Sequence, residues 1–76
     1  MPTIDVPAPM AGSVKELLVA VGDSVKAGDE LLIIESMKME IPLESPASGR
    51  IAEILTAAAQ PIDEGEVLVR IETVSG

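Results

Sequence analysis

The sequence predicts an all-β fold made of two copies of one half-domain, and three observations predict it. Residues 3–35 laid over residues 40–72 align without a gap at a constant offset of 37. Turn-forming residues at Gly12, Gly22-Asp23, Gly28-Asp29, Gly49 and Gly65 cut the chain into segments of the length strands prefer. The apolar positions hold Val, Ile, Leu, Ala and Met, with no Phe, Tyr or Trp among them.

The alignment carries the most weight. Ten of its 33 positions are identical: Ile4/Ile41, Pro9/Pro46, Gly12/Gly49, Glu16/Glu53, Leu18/Leu55, Ala20/Ala57, Gly28/Gly65, Leu31/Leu68, Ile34/Ile71 and Glu35/Glu72. Ordinary composition gives roughly two or three by chance. Val6/Leu43, Val14/Ile51, Leu17/Ile54, Val25/Ile62, Asp29/Glu66 and Leu32/Val69 add conservative pairs. Two units are too few for a solenoid, so the copies are expected to enclose one shared core about a pseudo-twofold axis.

Along the chain, Pro7 to Pro9 reads as a tight connection ending near Gly12. Val14, Leu17, Leu18 and Val21 then fall at the spacing of an amphipathic helix, with Gly22 as its stop. Against a helix, Val14, Val19 and Val21 are β-branched, and the matching stretch 51–58 is hemmed in by Gly49 and Pro61. Pattern alone leaves both readings open, with segment length on the side of strands. Leu31 to Ile34 is a short apolar run, and beyond it Ile41 and Leu43 alternate with Glu40, Pro42 and Glu44 as in a strand with one buried face.

Between those segments lie Ser36, Met37, Lys38 and Met39, the residues that join the two copies. Strands joined so closely form a hairpin whose bend projects into solvent, which displays Lys38 at a tip. The bend has no Gly, Asn or Asp to relieve positive backbone angles, so the repeat predicts the hairpin and turn chemistry alone does not. Ser45-Pro46 is a second tight connection, and the closing segment 66–76 is expected to pair with the strand ending at Glu35.

Composition excludes many functions. A chain of 76 residues has room for a single domain, 1–76, with copies 3–35 and 40–72 joined by the hairpin 36–39. Five basic against 13 acidic residues give a net charge of −8, which disfavours nucleic acid and anionic membrane surfaces as partners. The sequence contains no apolar run long enough to span a bilayer and no basic signal-peptide start, so a cytoplasmic location is expected. With neither His nor Cys, the chain has no imidazole triad, thiolate nucleophile or His- or Cys-ligated metal site. The acid pairs Glu35 with Glu40 and Asp63 with Glu64 would need a water-excluding cleft to act as catalysts, so solvated surface charge is the better account and no catalytic residue is assigned.

Glu35-Ser36-Met37-Lys38-Met39 resembles the biotin attachment motif of the biotinyl/lipoyl attachment domain family. Upstream, Gly22-Asp23-Ser24-Val25-Lys26-Ala27-Gly28-Asp29-Glu30-Leu31 is similar to the family's Gly-Asp-x-Val-x-x-Gly-x-x-Leu segment, and Pro46-Ala47-Ser48-Gly49-Arg50-Ile51 resembles its second-half turn. The likeness runs over residues 3–72 and is of the biotin carboxyl carrier type. It implies a flattened β-barrel, or barrel-sandwich hybrid, of two four-stranded antiparallel sheets with quasi-twofold symmetry and the lysine opposite the termini. No insertion between Gly12 and Gly22 matches the protruding thumb of some bacterial acetyl-CoA carboxylase carriers, so the chain resembles the thumbless form, free-standing or at the end of a larger carboxylase. Two departures stand out: Ser36 replaces the commonest Ala, and Ala59-Gln60-Pro61 stands where the first copy has Gly22, so that turn is expected to follow a different path.

By that resemblance, biotin is joined covalently to Lys38. A biotin carboxylase using ATP and bicarbonate loads the arm with a carboxyl group, and a carboxyltransferase passes the group to an acyl-CoA or keto-acid acceptor. The domain is then a non-catalytic, monomeric carrier. A biotin protein ligase has to choose Lys38 over Lys15 and Lys26 by shape, with Met37 and Met39 as recognition flanks and Glu35, Ser36 and Glu40 as further candidates. Lipoate on Lys38, or an unmodified barrel used for protein interaction, are the alternatives. Met on both sides of the lysine resembles the biotin class, since lipoyl domains commonly place Asp before the lysine and a small residue after it.

Overall fold

The computed structural model describes residues 2–73, so Ser75, the counterpart of Lys38 at the repeat offset, lies outside the described residues. Eight strands make up the chain and no helix occurs among the described residues: β1 (Thr3–Pro7), β2 (Gly12–Leu17), β3 (Ser24–Val25), β4 (Glu30–Ser36), β5 (Met39–Glu44), β6 (Gly49–Ile54), β7 (Pro61–Ile62) and β8 (Val67–Thr73). The helix-like stripe is resolved in favour of strands. Val14 and Leu17 belong to β2, whereas Leu18 and Val21 fall in the connection that follows and are exposed.

Two antiparallel sheets form, in the orders β1-β8-β6-β3 and β5-β4-β2-β7. Exchanging the copies turns one order into the other. Each sheet therefore takes two strands from each copy, and neither copy has a sheet of its own. The sheets pack face to face as a flattened sandwich of 39 × 18 × 16 Å rather than closing into a continuous barrel. The expected pairing of segment 66–76 with the strand ending at Glu35 is corrected here. β4 lies between β2 and β5, while β8 is central in the opposite sheet, between β1 and β6. A hairpin supplies β4 with its nearest partner, so β8 is free to complete the other layer.

The core repeats the symmetry. Leu31, Leu32 and Ile34 of β4 and their counterparts Leu68, Val69 and Ile71 of β8 are all fully buried, at 0% exposure. Adjacent Leu31 and Leu32 both face inward because the β4–β5 register shifts between Glu30 and Leu32, as a bulge allows. Backbone hydrogen bonds are exchanged between the copies in the same way. Gly22 N–H donates to Ile51 O at 2.8 Å and Ala59 N–H to Val14 O at 2.7 Å; Val14 N–H donates to Gln60 O at 3.0 Å and Ile51 N–H to Asp23 O at 2.9 Å.

Those bonds also correct the expected divergence at Ala59. Ala59 adopts φ 70°, the left-handed geometry that Gly22 adopts at φ 96°, so the two turns follow the same path. Glycine is the usual residue there because a Cβ is strained in that region. The cross-copy hydrogen bond to Val14 holds Ala59 in place despite its Cβ.

Candidate functional site

Lys38 lies on the hairpin between β4 and β5. Ser36 pairs directly with Met39, which leaves Met37 and Lys38 as the whole of a two-residue turn. Both have positive φ, 51° at Met37 and 65° at Lys38, the signature of a type I′ turn. Asn-Gly or Asp-Gly normally fills such a turn, because each non-glycine residue in the left-handed region costs on the order of 1 kcal/mol. The strain is therefore borne at the residue that carries the candidate chemistry. It is sustained by an unbroken ladder beneath: Glu35 pairs with Glu40, Ile34 with Ile41, Ile33 with Pro42 and Leu32 with Leu43.

Two contacts anchor the stem. The Ser36 hydroxyl donates to Ala11 O at 3.0 Å, tying the hairpin to the β1–β2 connection. An alanine there would lack this bond. Gly12 lets β2 approach β4 closely, since a Cβ on it would lie 2.5 Å from Glu35 O. Above the stem everything is open. Lys38 is exposed, Met37 is 91% exposed and Met39 62% exposed. Large thioether side chains left in water bring no folding benefit and offer an adaptable contact surface.

Thr3 and Thr73, at the outer ends of β1 and β8, lie away from this tip. Glu72 pairs with Thr3 and Thr73 with Gly49, and Gly49 pairs in turn with Val25. Val25 lies beside the turn where Gly28 N–H donates to Ser45 O, at the foot of the β4–β5 hairpin. From Glu30 at that foot to Ser36 is about 20 Å of extended strand. An open cleft of about 530 Å³ lined by Ser24, Val25, Lys26, Asp29, Ser48 and Gly49 also lies at the chain-end side, remote from Lys38.

The three lysines differ in setting. Lys15, on β2, forms an ion pair with Glu40 on β5, reaching across the intervening β4. The hydrogen bond that Lys15 donates to the Glu40 carboxylate raises the Lys15 pKa above its ordinary value, desolvation opposes the rise, and the charges of Glu40, Glu35 and Glu16 add to it. Lys26 lies in the β3–β4 turn, where its backbone N–H donates to Asp29 at 2.9 Å. Neither Lys26 nor Lys38 has an ion pair among the described residues.

Of the sequence candidates, the hairpin brings Glu35, Ser36, Met37, Lys38, Met39 and Glu40 together, while Asp63 and Glu64 fall on the β7–β8 turn, exposed. Glu40 is paired with Lys15, and Ser36 is half-buried with its hydroxyl donating to Ala11 O. Sequence reasoning missed Lys15 as the partner of Glu40. The signal was present in the repeat: where this copy arrangement has Lys15 and Glu40, the alternate one has Ala52 and Thr3, so both members of the pair diverge together.

Residues 4–71 match the family described as biotin-requiring enzyme. The chain is 56% identical over 36 residues to the 1.3S subunit of methylmalonyl-CoA carboxyltransferase from Propionibacterium freudenreichii subsp. shermanii, covering 47% of this chain and 29% of that one. It is 51% identical over 39 residues to a biotinylated protein of Mycobacterium leprae, covering 51% of this chain and 55% of that one. A third relative, the dihydrolipoyllysine-residue acetyltransferase component of the Haemophilus influenzae pyruvate dehydrogenase complex, is 53% identical over 34 residues, 45% of this chain and 6% of that one. The chain thus spans only part of the length of each of these relatives. Among solved structures, a single-chain, multi-domain long-chain acyl-CoA carboxylase superposes with a TM-score of 0.89 at 27% identity, over 96% of this chain and 7% of that one.

Proposed function

The chain belongs to the biotin-requiring enzyme family, and from that membership we propose that it is a biotin carboxyl carrier domain with biotin joined as an amide to the Lys38 amine. The observation that supports this reading most strongly is the two-residue turn, which puts an amine with no ion pair among the described residues at the tip of the hairpin between two exposed methionines. Such an amine fits a covalent acyl group, for which no pocket is needed.

Biotin, once attached, supplies a ureido ring that can accept and give up a carboxyl group. The chain's own residues supply presentation. The β4–β5 ladder fixes where the arm begins, the Ser36–Ala11 hydrogen bond steadies the stem, and the exposed tip leaves space for two different enzymes in turn. Tethering keeps the arm's end at an effective concentration of roughly millimolar near a docked partner. By this proposal the domain is itself non-catalytic and works as a cytoplasmic monomer. Its partners are a biotin protein ligase and the carboxylase and carboxyltransferase sites of a biotin-dependent carboxylase.

Lipoate on Lys38 is the second reading, motivated by the likeness to the acetyltransferase component. The methionines flanking Lys38 favour biotin. Intact mass of the chain produced with a biotin protein ligase decides between them: one biotinyl increment, absent from Lys38→Arg, is expected. A lipoyl increment on Lys38, or a biotinyl increment that survives in Lys38→Arg, would overturn the proposal.

A further inference from the structure

The fold builds each sheet face twice, so a difference between the two outer faces is not required by folding. On the β1-β8-β6 face the central side chain is Arg70, which points outward because Val69 and Ile71 on either side of it are fully buried. Its guanidinium donates to Asp5 at 3.1 Å and to Glu53 at 3.0 Å, so that face is locally neutralised. On the β5-β4-β2 face the same position holds Ile33, outward between buried Leu32 and Ile34 and only half-buried. Pro42 takes the place of Asp5 and pairs with Ile33, while Glu16, the counterpart of Glu53, lies on the other side of Ile33. The arginine and its aspartate are thus replaced together by an apolar pair. Among the described residues Glu16 and Glu35 form no ion pair, although the charge of Lys15, itself paired with Glu40, acts on both, and Glu35 extends the acidic rim toward the tip.

We infer that this outer face, with Ile33 and Pro42 at its centre and Glu16 and Glu35 at its rim, is the docking surface for the enzyme that attaches biotin to Lys38. The inference rests on the carrier reading above. Geometry selects the occupant. Ile33 is three residues below the hairpin's end, about 10 Å along the strand. An enzyme that acts on the lysine amine itself has to cover the turn, and a standard footprint of about 800 Å² per partner extends some 16 Å from its centre. That footprint includes this face. Enzymes acting at the far end of the attached arm need not approach so near. Charge complementarity then describes the partner's surface: an exposed apolar contact ringed by arginine or lysine. The Lys15–Glu40 ion pair spans β4 between Ile33 and the tip and neutralises Glu40, so the acids this face offers a partner are Glu16 and Glu35.

Exchange of the two symmetry-related faces provides the test. Ile33→Arg, alone and with Pro42→Asp, copies the arrangement of the far face onto this one, and Arg70→Ile is the control on the far face. Initial rates of Lys38 modification are measured with a purified biotin protein ligase, ATP and biotin, beside thermal unfolding of each variant. The expected result is a KM for the carrier raised tenfold or more in both near-face variants, little change in kcat, an unfolding transition like that of the wild type, and unchanged kinetics in Arg70→Ile. A wild-type KM in a folded near-face variant would overturn the docking surface alone, as would an equal effect of Arg70→Ile. Unchanged ligase kinetics with slowed carboxylation of the pre-loaded variant would give the face to the carboxylase instead and likewise overturn it. A wild-type chain that gains no biotin at Lys38 would overturn the carrier reading itself.

Discussion

The domain has two ends built on one plan and used differently. At one end, β4 passes through Met37 and Lys38 into β5; at the other, β8 and β1 lie side by side as the chain's closing and opening strands. Gly12 and Gly49 permit the same close backbone approach at the two ends, against Glu35 O and Glu72 O. The Ser36 hydroxyl reaches Ala11 O while Thr73, its counterpart, reaches Pro2 O at 3.2 Å. Scaffold features are thus duplicated. Among the described residues, the features found at one end alone are the strained turn, the exposed methionines and the ion pair from Lys15 to Glu40. Symmetry in this chain reports folding, and departures from it point to function.

The largest effect expected from breaking that plan is on the interleaved sheets. Deleting residues 66–76 removes β8, the strand between β1 and β6, along with buried Leu68, Val69 and Ile71. Burial of three such side chains contributes on the order of 5–9 kcal/mol, comparable with the whole stability of a domain this size. Loss of any cooperative transition by circular dichroism is expected, and a truncated chain that still unfolds cooperatively would refute the two-copy core. The glycine approaches come next. A Cβ at Gly49 would lie 2.2 Å from Glu72 O and one at Gly12 2.5 Å from Glu35 O, so backbone has to move in either alanine variant. Each substitution should cost about 1–3 kcal/mol by denaturant titration, Gly49→Ala the more.

Backbone strain sharpens the comparison further. Met37→Gly and Ala59→Gly both relieve a residue at positive φ, and each should stabilise the fold by about 0.5–1 kcal/mol. Only Met37→Gly should also reduce the efficiency of Lys38 modification, because Ala59 carries no part of the tip. The smallest effect is that of the Lys15–Glu40 pair. The folded-state pKa of Lys15 is raised above 10.5, so its stabilising contribution is full below that pH and is lost as pH rises through the folded value. The stability difference between wild type and Lys15→Met should accordingly persist at neutral pH and close on the alkaline side. A difference that widens there would contradict the pairing.

Much of this was legible in the sequence because the repeat supplied long-range information that local patterns lack. Leu31, Leu32 and Ile34 match Leu68, Val69 and Ile71 in the repeat and all six are buried, and the location of Lys38 between the copies puts it on a bend. Strand pairing was less legible. A repeat shows that β4 and β8 are equivalent, but equivalence under a twofold axis places them in different sheets rather than side by side. The Ala59 turn was misread because local propensity was taken to decide its path, whereas a hydrogen bond from the other copy holds it. The ion pair across β4 depends on two side chains 25 residues apart in different sheet positions, which no short motif encodes.

The central claim is that position on the turn, rather than the presence of a lysine, defines the attachment site. It is tested most directly by moving the lysine one residue within the same turn, with Met37→Lys and Lys38→Met combined, and measuring intact mass after incubation with a biotin protein ligase, ATP and biotin. One biotinyl increment is predicted for the wild type and none for the shifted variant, although both are folded and both display an exposed lysine at the tip. A full increment on the shifted lysine would contradict the account.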